Sequence, residues 1–282
     1  MSFISLKILF LFLYFSLYHF LPDIISSFSP LLAIYFIFRY TFVPAIRLIY
    51  FLCFVSGVTA ATIRGVFLKE TLLKHEVLAS KSLKFREAYQ TALSFVKEKL
   101  LYVVLVDVTA SIALSMTFLT SIYSVVFLGV SEIGWGYISS FSRFLALLFL
   151  MPFGFLMDKI GRKPILVVST ISSLSGCSLL FAAPYMTFEP FILVLVAVSL
   201  MSIGNFVYFT AITTIITDLV PLELRGRVNS IEGLIINLVS SIATLAAGLI
   251  YSLIGSNIPY LIATITLLLA ISIILLKLRE TK

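Results

Sequence analysis

Apolar positions run through this chain in long blocks, not in alternation. Between residues 100 and 282 the blocks cover 100–128, 133–157, 164–183, 190–217, 228–254 and 259–276. Each reaches the ~18 residues needed to cross ~30 Å of hydrocarbon. The breaks at 129–132, 158–163, 184–189, 218–227 and 255–257 each hold glycine, proline or a charge cluster, which are turn and helix-end signals. The blocks are too long for the strands of a soluble α/β domain, and the dyad alternation of an outer-membrane barrel is absent. Helical spans remain, because a spanning helix satisfies its own backbone hydrogen bonds. The pattern predicts six helices in this region.

Residues 1–66 carry apolar runs at 3–21, 24–42 and 43–66, the second interrupted by Pro30. The first run reads as a span: Lys7 is its only early cation and no small-residue cleavage site follows it, so a signal peptide fits less well. Eight to nine transmembrane helices are expected in all. Residues 72–100 differ. Phe85, Tyr89, Leu93, Val96 and Leu100 recur at helical spacing, with Lys84, Arg86, Glu87, Lys97 and Glu98 on other faces. This predicts an amphipathic helix on the membrane surface or packed on the bundle, with a solvated linker as the alternative.

Charge orients the spans. Basic residues collect on the cytoplasmic side. Residues 64–99 hold Arg64, Lys69, Lys74, Lys81, Lys84, Arg86, Lys97 and Lys99. Lys159, Arg162 and Lys163 occupy the second turn of the six-helix block, Arg225 and Arg227 the fourth, and Lys277, Arg279 and Lys282 the tail. The intervening turns have no Lys or Arg. Sixteen of the twenty cations therefore fall on alternate loops, which places both ends of the block in the cytoplasm. Arg39 and Arg47, flanking an outer turn, run mildly against the rule.

Composition agrees. The chain is 61% hydrophobic and 12% charged, with a mean hydropathy of +1.15, too little charge to cover a soluble domain of this size. The net charge of +7 is carried by loops, so it reflects topology and not nucleic-acid binding. Cys53 and Cys177 lie in apolar runs and read as packing residues. His19 and His75 carry no site pattern. No metal-ligand spacing, catalytic triad or phosphate loop is present, so no cofactor, metal or enzymatic activity is expected, and an ATP-driven pump is disfavoured.

The densest polar motif is the run 154–163, Gly-Phe-Leu-Met-Asp-Lys-Ile-Gly-Arg-Lys, in a tight turn between two spans. Gly154 allows close helix approach, Asp158 closes one span, Gly161 permits a reversal with positive φ, and Arg162 and Lys163 hold the turn inside. A second cluster, 218–227, carries Asp218, Pro221, Glu223, Arg225, Gly226 and Arg227.

Here the sequence resembles the major facilitator superfamily. Residues 154–163 match that family's signature loop, Gly-x-Leu-x-Asp-(Arg/Lys)-x-Gly-Arg-(Arg/Lys), at every fixed position. The Pro221, Arg225, Gly226, Arg227 pattern is similar to its companion loop two helices later. Residues 67–71, Phe-Leu-Lys-Glu-Thr, are similar to a phrase that opens the family's central loop. The resemblance implies an all-α polytopic bundle. In it 100–282 is a complete C-terminal six-helix half, 67–99 the central loop, and 1–66 the last two or three helices of the N-terminal half. It further implies a secondary transporter of a small solute in the cytoplasmic membrane, working by alternating access and, as one option, coupled to a proton. A partner half-transporter or homo-oligomer would complete the shorter N-terminal half. The alternative is a non-transporting membrane subunit or inactive fragment.

Gly154, Asp158, Gly161, Arg162, Lys163, Asp218, Arg225, Gly226, Arg227 and Glu232 are the expected gating residues. Asp158 is expected to meet Arg225 or the helix starting near Arg227, and Arg162 to meet Asp218 or Glu232. At membrane depth, Asp107, Arg143, Asn205 and Asn237 are the candidates for substrate or proton coupling, since polar groups there are costly and usually functional. Asp107 lies ~10 Å from the inner surface and Arg143 ~15 Å from the outer, at 1.5 Å per residue. A buried Asp107–Arg143 pair is expected, with a structural ion pair, or Asp107 reaching the inner surface, as the alternatives. Asn205 and Asn237 also suit interhelical hydrogen bonds. Tyr102, Tyr123, Trp135, Tyr137 and Tyr251 suit interfacial belts, with cavity lining open to some.

Overall fold

The computed structural model describes residues 24–67 and 85–278. The run 3–21, both histidines, and the basic residues 69–84 and 279–282 lie outside them. Every described element is helical. Helix α1 spans Ile24–Tyr40 and α2 Phe42–Phe67, separated by Thr41 at φ 68°, an unusual backbone state for a β-branched residue. Helix α3, Phe85–Phe95, continues through a π-helical turn, Val96–Leu100, into α4, Leu101–Met116. A short irregular helical stretch then reaches Phe127. Helices α5 (Glu132–Ile160), α6 (Arg162–Ala182), α7 (Pro190–Leu219), α8 (Arg225–Leu253) and α9 (Ile258–Lys277) follow.

Seven of the helices among the described residues are long and apolar enough to cross a membrane, with α1 shorter. The chain is thus a multi-pass helical membrane protein, and α4–α9 are the six helices that the apolar blocks predict. Local signals set their ends. Ser131 caps α5 by accepting from the Gly134 amide at 3.0 Å, which satisfies one of the orphan donors of a helix start. Pro190 and Pro259 open α7 and α9, where a missing amide costs nothing.

Helix α7 packs between α5 and α6; α6 packs on α9, α9 on α4, and α4 on α8. Two buried clusters layer this bundle. One gathers Leu100, Met157, Ile165, Val220, Val228 and Leu278, the helix ends that carry the basic loops. The other gathers Tyr123, Val130, Leu180, Val194, Ala247 and Tyr260 from the opposite ends. Successive helices therefore run antiparallel, as the alternating charge requires.

The amphipathic segment packs on the bundle through its later positions, while Leu93, expected on its apolar face, is exposed. Ala92, Val96 and Leu100 enter the first cluster, while Lys97 and Lys99 remain exposed. Two other expectations change. Tyr123 is not interfacial: it is fully buried, donating to Leu180 O at 3.0 Å, stacked on Phe127 and tilted against Tyr260 with ring centroids 4.7 Å apart. Cys177 is buried as expected, but Cys53 is exposed on α2, whose most apolar 18-residue stretch is wholly unburied.

Helices α6 and α7 cross closely at two glycines. A Cβ on Gly176 would sit 2.5 Å from Ala197 O and Met201 Cγ, and one on Gly204 would overlap Ser173 Oγ and lie 2.6 Å from Ser169 O. Close approach is thus obtained at these two glycines. At Gly154, the position the motif suggested, a Cβ would meet nothing within 4 Å.

Candidate functional site

Three groups of polar residues stand out against this apolar frame. The first is the turn joining α5 to α6. Gly161 takes φ 96° and ψ 170°, a region essentially reserved for glycine, and this reversal brings Arg162 and Lys163 into the first turn of α6. Arg162 Nη2 forms an ion pair with Asp218 Oδ2 at 2.7 Å, near the end of α7, the contact expected for this arginine. Lys163 Nζ donates to Leu278 O at 2.8 Å and Leu275 O at 3.2 Å, capping the final carbonyls of α9. Three helix ends are so joined through consecutive residues.

Asp158 and Arg225 do not meet. The Arg225 guanidinium donates to Thr217 O at 2.8 Å and Val220 O at 3.1 Å, capping α7. Asp158 is exposed and makes no ion pair among the described residues, and the neighbouring Lys159 lies 4.4 Å over the Phe155 ring. Helix α5 packs on α7 and α8 on α4, so the helix that begins at Arg225 is not a packing partner of the one that ends beside Asp158. Gly226 is exposed and Arg227 half-buried in the first turn of α8.

The second group lies inside the bundle. Asp107 on α4 accepts a hydrogen bond from the Tyr208 hydroxyl on α7 at 3.2 Å. Glu232 lies on α8, the helix that packs on α4, and is buried. Among the described residues Glu232 makes no ion pair with the turn residues. It lies two turns into α8. The expected Asp107–Arg143 pair is also absent: Arg143 is on an exposed face of α5. Depth along the helices allowed that pair, but α4 packs on α8 and α9 while α5 packs on α7. Tyr208 was missed by the sequence reading because one tyrosine in an apolar span carries no signal of its own.

The third group is a shallow, open groove along α8, lined by Asn237, Ser240, Ser241, Thr244, Gly248 and flanking leucines. Asn237 is exposed there. Asn205, by contrast, accepts from Ser173 Oγ at 3.1 Å, linking α6 to α7. Ser142 and Ser199 make a buried hydroxyl pair at 3.0 Å between α5 and α7, a contact the sequence did not signal. Many other hydroxyls in the spans donate to a carbonyl three or four residues back, as Thr109, Thr170 and Thr214 do, which takes them out of consideration as ligands.

Residues 100–282 match the sequence profile of the Major Facilitator Superfamily. No curated protein matches the chain.

Proposed function

Because the chain belongs to the Major Facilitator Superfamily, whose members are membrane transporters and not enzymes, we propose that it is a secondary active transporter of a small solute, working by alternating access across the cytoplasmic membrane. The observation that carries this reading is the α8 groove. A membrane-length helix that turns Asn237, Ser240 and Thr244 outward gains nothing from facing lipid, because a side-chain amide such as that of Asn237 finds no partner in hydrocarbon; the Ser241 hydroxyl beside them donates to Asn237 O at 2.7 Å. The face suits a water-filled path. Arg143, exposed part-way along α5, suits the same environment, and Asp107 is the acid best placed for coupling to a proton. The turn at 158–163 and the loop at 218–227 then form the cytoplasmic gate, with the C-terminus on the same side. Contacts there bias the inward–outward equilibrium if they differ between the two states.

Uptake by proteoliposomes over a panel of sugars, amino acids, organic acids and organic cations, with and without a pH gradient, tests this reading. Saturable uptake of one class, reduced at least tenfold by Asn237→Leu, is expected. Absence of saturable uptake and of any substrate-induced stabilisation of the purified chain would favour the second reading, a non-transporting membrane subunit. The specific observation behind that alternative is α2, which offers a whole unburied face to another protein.

A further inference from the structure

Arg143 is exposed and stands near the middle of α5, which runs from Glu132 to Ile160. At 1.5 Å per residue it lies about 17 Å from the first residue of the helix and about 26 Å from the last. Snorkelling serves cations near helix ends, and Arg143 is near neither. Its side of the helix is not the one turned to lipid. Exposed Phe144, Leu148, Met151 and Phe155 mark the apolar outer side. At about 100° per residue, Arg143 lies roughly 110° around the helix from their centre. On its own side the residues one turn away, Ser140, Ala146 and Leu147, are buried. Arg143 therefore marks an opening in a covered stripe. Within that stripe Ser140 is 7% exposed, and its hydroxyl has no hydrogen-bond partner among the described residues.

A guanidinium cannot be neutralised by losing its proton, so at this depth it needs a counter-charge. Among the described residues Arg143 makes no ion pair. The acids within the described spans and away from helix ends are Asp107 on α4 and Glu232 on α8. Those helices pack on each other, while α5 packs on α7. The apolar run 3–21, outside the described residues, holds no Asp or Glu. A second copy of the chain would bring the same two acids, of which Glu232 is buried and Asp107 is held by Tyr208.

We infer that the solute itself brings the negative charge: it is a small organic anion whose carboxylate or phosphate is bound by Arg143, with the Ser140 hydroxyl as a further donor. The planar guanidinium fork matches either group with two parallel hydrogen bonds. This inference rests on the transport reading and gives the solute its chemical class.

The test uses the purified full-length chain and matched solutes: lactate with lactamide, succinate with succinamide, benzoate with benzamide, and glycerol 3-phosphate with glycerol. A raised thermal midpoint reports binding to the folded state, and proteoliposome uptake reports transport. At least one anion is expected to stabilise the chain saturably while its neutral twin does not. Its apparent affinity falls at least tenfold in Arg143→Gln, several-fold in Arg143→Lys, which keeps the charge without the fork, and about twofold in Ser140→Ala. Lys97→Gln, which removes an exposed cation in the π-helical turn before α4, leaves it unchanged. Should the Arg143 variants misfold, the wild-type contrast between anion and neutral twin decides, together with Ser140→Ala. Saturable uptake of neutral or cationic solutes only, or an anion affinity unchanged in folded Arg143→Gln, overturns the inference and leaves the transport reading standing. An oligomer that Arg143→Gln dissociates, with no anion effect on the wild type, assigns the counter-charge to a second copy and overturns it too. No stabilisation and no uptake with any solute overturns both readings.

Discussion

Arg162 Nη2 and Asp218 Oδ2 lie 2.7 Å apart, with side chains 23% and 38% exposed, and the pair ties the start of α6 to the end of α7. An exposed ion pair of this kind contributes about 0.2–1 kcal/mol, too little to hold a bundle together. Its consequence is directional: it fixes which helix ends move as a unit.

Single Arg162→Ala and Asp218→Ala substitutions are therefore expected to shift the thermal midpoint in detergent by little. Asp218→Arg places two guanidinium groups side by side and costs more. The exchange of both, Arg162→Asp with Asp218→Arg, recovers most of that loss. A double-mutant cycle on thermal midpoints checks this, with a coupling below about 1 kcal/mol at low salt, shrinking as salt is added. A coupling of zero would mean that the pair does not persist in solution.

A second prediction concerns Gly204. Any Cβ there overlaps Ser173 Oγ and lies 2.7 Å from Ser173 N on the facing helix. Gly204→Ala is expected to cost about 1–3 kcal/mol through overpacking, and Gly204→Val more. Gly233, on α8 with nothing within 4 Å of a built Cβ, is the control. There alanine is neutral or stabilises by about 0.5–1 kcal/mol, because glycine is a poor helix former. Melting curves of the two alanine variants separate the cases; equal midpoints would refute the close α6–α7 approach.

What could be read beforehand follows from the physics of each feature. The six spans of α4–α9 and their common basic end were legible because burying a charge in hydrocarbon is expensive, so the cations mark the ends. The Arg162–Asp218 pair was legible because both residues sit in short loops at one end. Lateral placement was not. Asp107 and Arg143 have compatible depths, but depth along a helix says nothing about which helices are neighbours, and the acid instead meets Tyr208. Gly154 and Gly204 look alike in sequence. Only the crossing of α6 with α7 tells which one a neighbour needs. Glu232 reads as a gate or interfacial residue because it lies near the inner end of its span; it is buried and makes no ion pair with the turn residues among the described residues.

The remaining prediction separates two roles within one turn. Lys163 donates to Leu278 O and Leu275 O, placing a positive charge at the negative end of α9, an arrangement contributing about 0.3–1 kcal/mol. Gly161 holds a backbone conformation that costs other residues about 1–3 kcal/mol. Lys163→Met is therefore expected to fray the last turn of α9 locally: amide hydrogen exchange there speeds up several-fold, while the global midpoint moves little. Gly161→Ala strains the reversal that positions both Arg162 and Lys163, so the global midpoint falls, and exchange accelerates at the ends of α7 and α9 together. If Lys163→Met left exchange in α9 untouched, the lysine would not be its cap. If Gly161→Ala affected only α9, the turn would not be the common tie of the three helix ends.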